Sequence, residues 1–131
     1  MFLGLRSLIY PVDDVARAKT WYTAVLGFEP YYDEPPYIGY LVGGYELGLL
    51  AKEAAGDSWT GPRTYWGVAK AEPALSHLLD HGATLEAEVH DVGGGIRMAS
   101  VRDPDGHIFG IIENPEFELV PVQTAGPGPG R

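Results

Sequence analysis

The chain has 131 residues, enough for one domain with its own core and too few for two independent ones. Its 45% apolar and 21% charged residues are a globular composition, and a net charge of −9 opposes binding to nucleic-acid phosphate. The absence of cysteine excludes disulfides and thiolate metal centres, and no apolar run approaches the length of a membrane span.

The opening MFLGLRSLIYPVDD is apolar but short, with no basic leader region and no small-residue cleavage site. It reads as a first strand rather than a signal peptide, which makes the cytoplasm the expected compartment. RSLIYPV (6–12) is the strand proper, and DDVARAKTWYTAVLGF follows as a helix. Asp13 or Asp14 caps it, Val15, Ala18, Tyr22, Val25 and Leu26 form its apolar stripe, and Gly27 stops it. FEPYYDE, YIGYLV and YELGLLA are strands, the last two joined by the hairpin pair Gly43-Gly44. A polar stretch, 52–62, then interrupts the pattern.

The same order begins again after it. RTYWGV (63–68) is a strand, and AEPALSHLLDHG (71–82) is a helix with Ala74, Leu75, Leu78 and Leu79 inward. ATLEAEV, GIRMASVRD and HIFGIIE are the following strands. Val12 matches Val68, Tyr10 matches Trp66, and ELGLL (46–50) matches IFGII (108–112), with Gly48 on Gly110. A duplication of one βαβββ unit accounts for both halves, since neither alone closes a core. The Pro/Gly-rich end, 119–131, reads as a flexible tail behind a domain spanning 1–118. Gly110, in the middle of an apolar strand, calls for a bulge, a close approach or a dispensed side chain.

The V-x-D strand end at Val12, the helix ending WYTAVLGF and the late RDPDGHIFGIIE together resemble the glyoxalase/bleomycin resistance/dioxygenase (vicinal oxygen chelate) superfamily, over about residues 5–115. The resemblance implies an α+β fold: two tandem βαβββ modules, about 4–51 and 63–115, forming a curved mixed sheet around a cavity. Enzymes of the superfamily hold a divalent metal there through His, Gln or Glu on the first and last strands of each module. Carried onto this chain, those positions are Ser7 and Arg63, five residues before Val12 and Val68, and the mid-strand Gly48 and Gly110. Neutral serine is a poor ligand, arginine is a permanent cation, and glycine has no side chain, so the usual metal site is absent and no cofactor is expected.

The remaining chemistry is sparse. His77 and His81 lie i, i+4 on the second helix with Asp80 nearby, but HLLDH lacks the glutamate of a protease motif and fits a solvated face. His90 and His107 sit near strand starts or turns, no nucleophile triad can be assembled, and no phosphate-loop motif exists. No residue is assigned a catalytic role.

The aromatic residues are more informative. Tyr31, Tyr32, Tyr37, Tyr40, Tyr45, Trp59, Tyr65 and Trp66 gather around the predicted strands. Alternation sends Tyr10, Tyr22 and Trp66 to the helix side and puts Tyr65 on one face with Arg63 and Gly67, a face that the resemblance implies is turned to the cavity. The missing side chains at Gly48 and Gly110 enlarge that cavity. Arg63 offers a charge-assisted hydrogen bond to an acidic ligand, or is a solvated edge-strand residue; Glu46 and Arg97 are candidates for rim or wall.

The resulting expectation is a metal-independent, homodimeric small-molecule-binding protein, similar to the drug-sequestering bleomycin resistance branch. Ser7, Glu46, Gly48, Arg63, Tyr65, Arg97 and Gly110 line its site, and a drug or aromatic metabolite fills it. The acidic surface favours a cationic ligand and Arg63 an anionic one, and the sequence does not choose. The alternatives are a metal-dependent lyase, isomerase or dioxygenase with displaced ligands (Glu46, His90, His107, Glu113), a cofactor-free enzyme with a tyrosine or Glu46 as acid–base group, and a dimeric interaction module without ligand.

Overall fold

A computed structural model describes residues 1–117, so the tail assigned to 119–131 lies outside the described residues. The elements run β1 (Phe2–Val12), α1 (Val15–Leu26), β2 (Tyr32–Glu34), β3 (Tyr37–Val42), β4 (Tyr45–Ala51), α2 (Lys52–Ala55), β5 (Arg63–Val68), α3 (Ala71–Asp80), β6 (Thr84–Gly93), β7 (Ile96–Arg102) and β8 (Ile108–Glu113). This is the α+β class with the βαβββ order occurring twice. By contacts the described chain divides into Leu8–Pro62, here the N-module unit, and Met1–Ser7 with Arg63–Phe117, the C-module unit. The first residues of β1 thus group with the second module.

In the N-module unit, Asp14 caps α1 by accepting a hydrogen bond from the Arg17 amide at 3.0 Å. At the other end, the Gly27 amide donates to the Thr23 carbonyl. The strand order is β2-β3-β4-β1, with β3 and β4 antiparallel in the register Gly39↔Gly48. Their turn needs positive φ at both central residues, and Gly43 and Gly44 supply it at 64° and 89°. Ile38, Tyr40 and Leu49 are buried on the α1 side, packed by Tyr10, Val15, Ala18, Tyr22 and Leu26. The buried Tyr40 hydroxyl is satisfied by Thr23 Oγ1 at 2.8 Å and by donating to the Lys19 carbonyl at 3.0 Å. Val25, expected on the stripe, is 58% exposed: it lies at the stripe's margin, in the last turn of the helix. A single helical turn, α2, occupies the start of the polar stretch after β4.

The C-module unit has the order β1-β5-β8-β7-β6. β5 and β8 are parallel, while β8, β7 and β6 are antiparallel, which makes the sheet mixed. Val68, Ala71, Ala74, Ala99 and Ile111 form its core under α3, with Leu75, Leu78 and Phe109 packed on it. Trp66 stacks on Phe109 at 5.4 Å between ring centroids, on this helix side. Leu79 is 38% exposed, because at 100° per residue it falls beyond the stripe of Ala71, Ala74, Leu75 and Leu78. Lys70 gives α3 no side-chain cap. Instead the Glu113 carboxylate reaches across from β8 and accepts from the Ala71 amide at 2.8 Å, where a negative charge complements the helix dipole. Among the described residues no helix is long and apolar enough to cross a membrane.

Candidate functional site

Strand alternation leaves Arg63, Tyr65 and Gly67 of β5 on the sheet face away from α3. The register adds Gly110 and Ile112 of β8, opposite Tyr65 and Gly67, and Ser100 and Met98 of β7 beside them. Arg63 is 3% exposed and donates bidentately to Glu86, Nη1 to Oε1 at 2.9 Å and Nη2 to Oε2 at 3.0 Å. Ser100 Oγ also donates to Glu86 Oε1. Glu86 reaches this face from β6, whose register slips between Leu85 and Ala87. The hydrogen bonds from Arg63 hold the Glu86 carboxyl below its ordinary range against the opposing effect of burial, with Ser100 assisting. Burial pushes the Tyr65 phenol up, and the adjacent Arg63 guanidinium draws it partly back.

This arrangement corrects two expectations. Arg63 is not a solvated edge residue, because β5 is an inner strand, and its carboxylate partner is Glu86 of the same chain rather than a ligand. Nor do the paired glycines widen a cavity. A Cβ on Gly110 would lie 2.6 Å from Tyr65 Cε1 and 2.7 Å from the Thr64 carbonyl oxygen, so the Tyr65 ring occupies the space. In the N-module unit a Cβ on Gly48 would lie 2.6 Å from Tyr37 Cζ and 2.8 Å from Cε1. Each glycine seats a tyrosine ring from the neighbouring strand. The explanation for Gly110 is therefore close approach.

The other proposed residues are distributed as follows. Ser7 is buried at the end of the β1 segment in the C-module unit. Glu46, in the N-module unit, accepts from the Tyr31 hydroxyl at 2.5 Å. Burial and the Glu46 charge together push that phenol above its ordinary range. Arg97 points to the α3 side of β7, where it forms an ion pair with Glu72. The displaced-ligand set does not gather within the C-module unit: His90 is engaged with the Glu88 carbonyl, His107 with Asp103, and Glu113 with the start of α3. Asp103, Asp105 and His107 bring their donor atoms within 4.8 Å of one another in an exposed turn. Asp103 Oδ1 there accepts from the His107 and Asp105 amides, which makes it the stitch of the turn. His77 on α3 and His81 just past its end are both exposed. An open groove of about 380 Å³ at the start of α1, lined by residues including Trp21, Asp13 and Lys52, was not anticipated. Its Lys52 and Asp13 side chains form an ion pair at 3.1 Å.

A divalent metal does not fit the positions that the resemblance supplies in the C-module unit. Arg63 has only donors and a permanent positive charge, already matched by Glu86, and the space at Gly110 holds a phenol ring. Glu86 and Ser100 were missed in the sequence. The available signal was Arg63 itself, since an inward-facing guanidinium needs a carboxylate on the same face, but nothing local identifies which one.

A family model described as Glyoxalase/Bleomycin resistance protein/Dioxygenase superfamily matches residues 4–111. Among solved structures, a glyoxalase/bleomycin resistance protein/dioxygenase superfamily member from Vibrio splendidus 12B01 is similar at 21% identity and TM-score 0.64, covering 82% of this chain and 97% of its own. A methylmalonyl-CoA epimerase in complex with methylmalonyl-CoA and NH4+ is similar at 15% identity and TM-score 0.71, covering 92% and 100%. An NAD-dependent benzaldehyde dehydrogenase structure from Legionella pneumophila is similar at 17% identity and TM-score 0.68, covering 81% and 96%. At these identities the likeness is one of fold. No curated protein sequence matches the chain.

Proposed function

The chain belongs to the glyoxalase/bleomycin resistance protein/dioxygenase superfamily, and from that premise we propose that it is a metal-independent protein that binds and sequesters a small aromatic molecule as a homodimer. The observation that carries this reading is the Arg63–Glu86–Ser100 cluster, whose Arg63 stands where the superfamily resemblance calls for a metal ligand. A guanidinium already closed on a carboxylate is suited neither to ligating a cation nor to taking up a proton. Sequestration needs only a matched surface, and the sheet face beside this cluster offers side chains of the required kinds. The complex of the epimerase with methylmalonyl-CoA illustrates that this fold accommodates a small organic ligand.

The test is metal analysis of the purified protein after incubation with Mn²⁺, Zn²⁺, Ni²⁺ or Fe²⁺ and desalting, followed by thermal shift with an aromatic panel. The expected result is no stoichiometric metal, together with a rise in melting temperature for at least one aromatic compound. Retention of one equivalent of metal, and stabilisation by it, would overturn the reading. Sedimentation velocity tests the dimer.

A second reading rests on the Tyr31–Glu46 contact, a phenol–carboxylate pair able to act as a metal-free acid–base couple. On that reading Glu46→Gln would abolish turnover of a bound compound without weakening its binding.

A further inference from the structure

We propose that Arg6 is a preformed receptor for the carboxylate of a monoanionic aromatic acid. This rests on the small-molecule reading above and names the ligand's class. Arg6 belongs to the β1 segment of the C-module unit. Its guanidinium lies where a side chain on Gly67 would stand: a Cβ there would be 2.7 Å from Arg6 Nε and 2.8 Å from Cζ. Gly67 shares its face with Arg63 and Tyr65, so the Arg6 cation reaches the same face as the buried cluster. The Phe117 ring stacks on it, with Cζ 3.7 Å from the ring centroid.

The guanidinium is thus held in position by backbone and ring, and these contacts do not consume its in-plane donors. Its hydrogen bonds among the described residues are two long ones from Nη1, to the Leu3 carbonyl at 3.4 Å and the Leu5 carbonyl at 3.5 Å. Arg63 and Arg97 each have a carboxylate, on Glu86 and Glu72, whereas Arg6 forms no ion pair with any described residue. That is notable in a chain with 18 acidic residues to 9 basic ones. A planar, oriented fork with one positive charge matches a carboxylate bidentately. The surrounding negative charge disfavours a dianion such as a phosphate monoester. Ile112, opposite Gly67, and Met98, opposite Ile112, supply an apolar floor beside the cation for the aromatic body.

The test compares 2-naphthoate and indole-3-acetate with their neutral alcohol analogues by calorimetry, on the wild type, Arg6→Met, Arg6→Lys and Phe117→Leu. Unchanged melting temperatures verify that the variants fold. We expect at least one acid to bind on the order of tenfold or more tighter than its alcohol, the worth of a charge-assisted hydrogen bond. Arg6→Met should erase that preference, Arg6→Lys should retain part of it, and Phe117→Leu should weaken acid binding by loosening the guanidinium. Equal binding of acid and alcohol, unaffected by Arg6→Met, would overturn this inference and leave the small-molecule reading standing. Binding of no acid and no alcohol would overturn both.

Discussion

Replacing Gly110 with alanine adds one methyl group at the place where the Tyr65 ring and the Thr64 carbonyl converge. The new Cβ would sit 2.6 Å from Tyr65 Cε1 and 2.7 Å from the Thr64 oxygen, well inside van der Waals contact. Two effects oppose each other. Removing glycine from a strand is favourable by roughly 0.5–1 kcal/mol through lost unfolded-state freedom. Overpacking a filled site is unfavourable by about 1–3 kcal/mol, and here it takes the upper half of that range, because one obstacle is backbone and Tyr65 is itself buried. The net expectation is destabilisation of about 1–2.5 kcal/mol, with a fall in melting temperature of roughly 2–8 °C per kcal/mol for domains of this size. Urea denaturation of the wild type, Gly110→Ala, Tyr65→Leu and the double variant supplies the cycle. In the Tyr65→Leu background the penalty should shrink by on the order of 1 kcal/mol, leaving the conflict with Thr64. A neutral or stabilising Gly110→Ala, or strictly additive effects, would refute the account of the glycine as a seat for the ring.

Glu86→Ala leaves the buried Arg63 cation without its bidentate partner and should destabilise by about 3–4 kcal/mol, the lower part of the range for buried pairs, since the Glu86 side chain keeps 14% exposure. The folded-state carboxyl of Glu86 lies below its ordinary value of 4.5, so its contribution is fully present above about that pH and is lost as the pH falls through the lowered folded value. Urea unfolding between pH 3 and pH 7 should show a steeper acid loss in the wild type than in Glu86→Gln. Asp14→Ala removes the acceptor for the Arg17 amide at the start of α1 and should cost about 1 kcal/mol, measurable as a shift in the urea midpoint with unchanged slope.

The strand spans 37–42, 45–51 and 63–68 coincide with the sequence-based assignments, as does the capped start of α1 at Asp14. These features depend on neighbours two to four residues apart: alternation along a strand, a helical stripe, a carboxylate three positions before an amide. The two misassigned inward residues, Val25 and Leu79, sit at stripe margins, where the hydrophobic period alone does not decide burial. The superfamily match over 4–111 spans nearly all of both βαβββ units.

The partner of Arg63 is of another kind. Glu86 lies 23 residues away on β6, at a register slip between Leu85 and Ala87. In strict alternation Glu86 and Glu88 share a face, so the cross-strand register, which sets Glu86 beside Ser100 and Arg63, decides between them. The tyrosines that fill the spaces at Gly110 and Gly48 are likewise fixed by pairing, parallel for β5 with β8 and antiparallel for β3 with β4. Local periodicity determined that this chain forms two βαβββ modules, and the resemblance to the superfamily put serine, arginine and two glycines at its ligand positions. What fills those positions was decided by strand register, because contacts across a sheet depend on which residues lie opposite one another and no nearby residue records that.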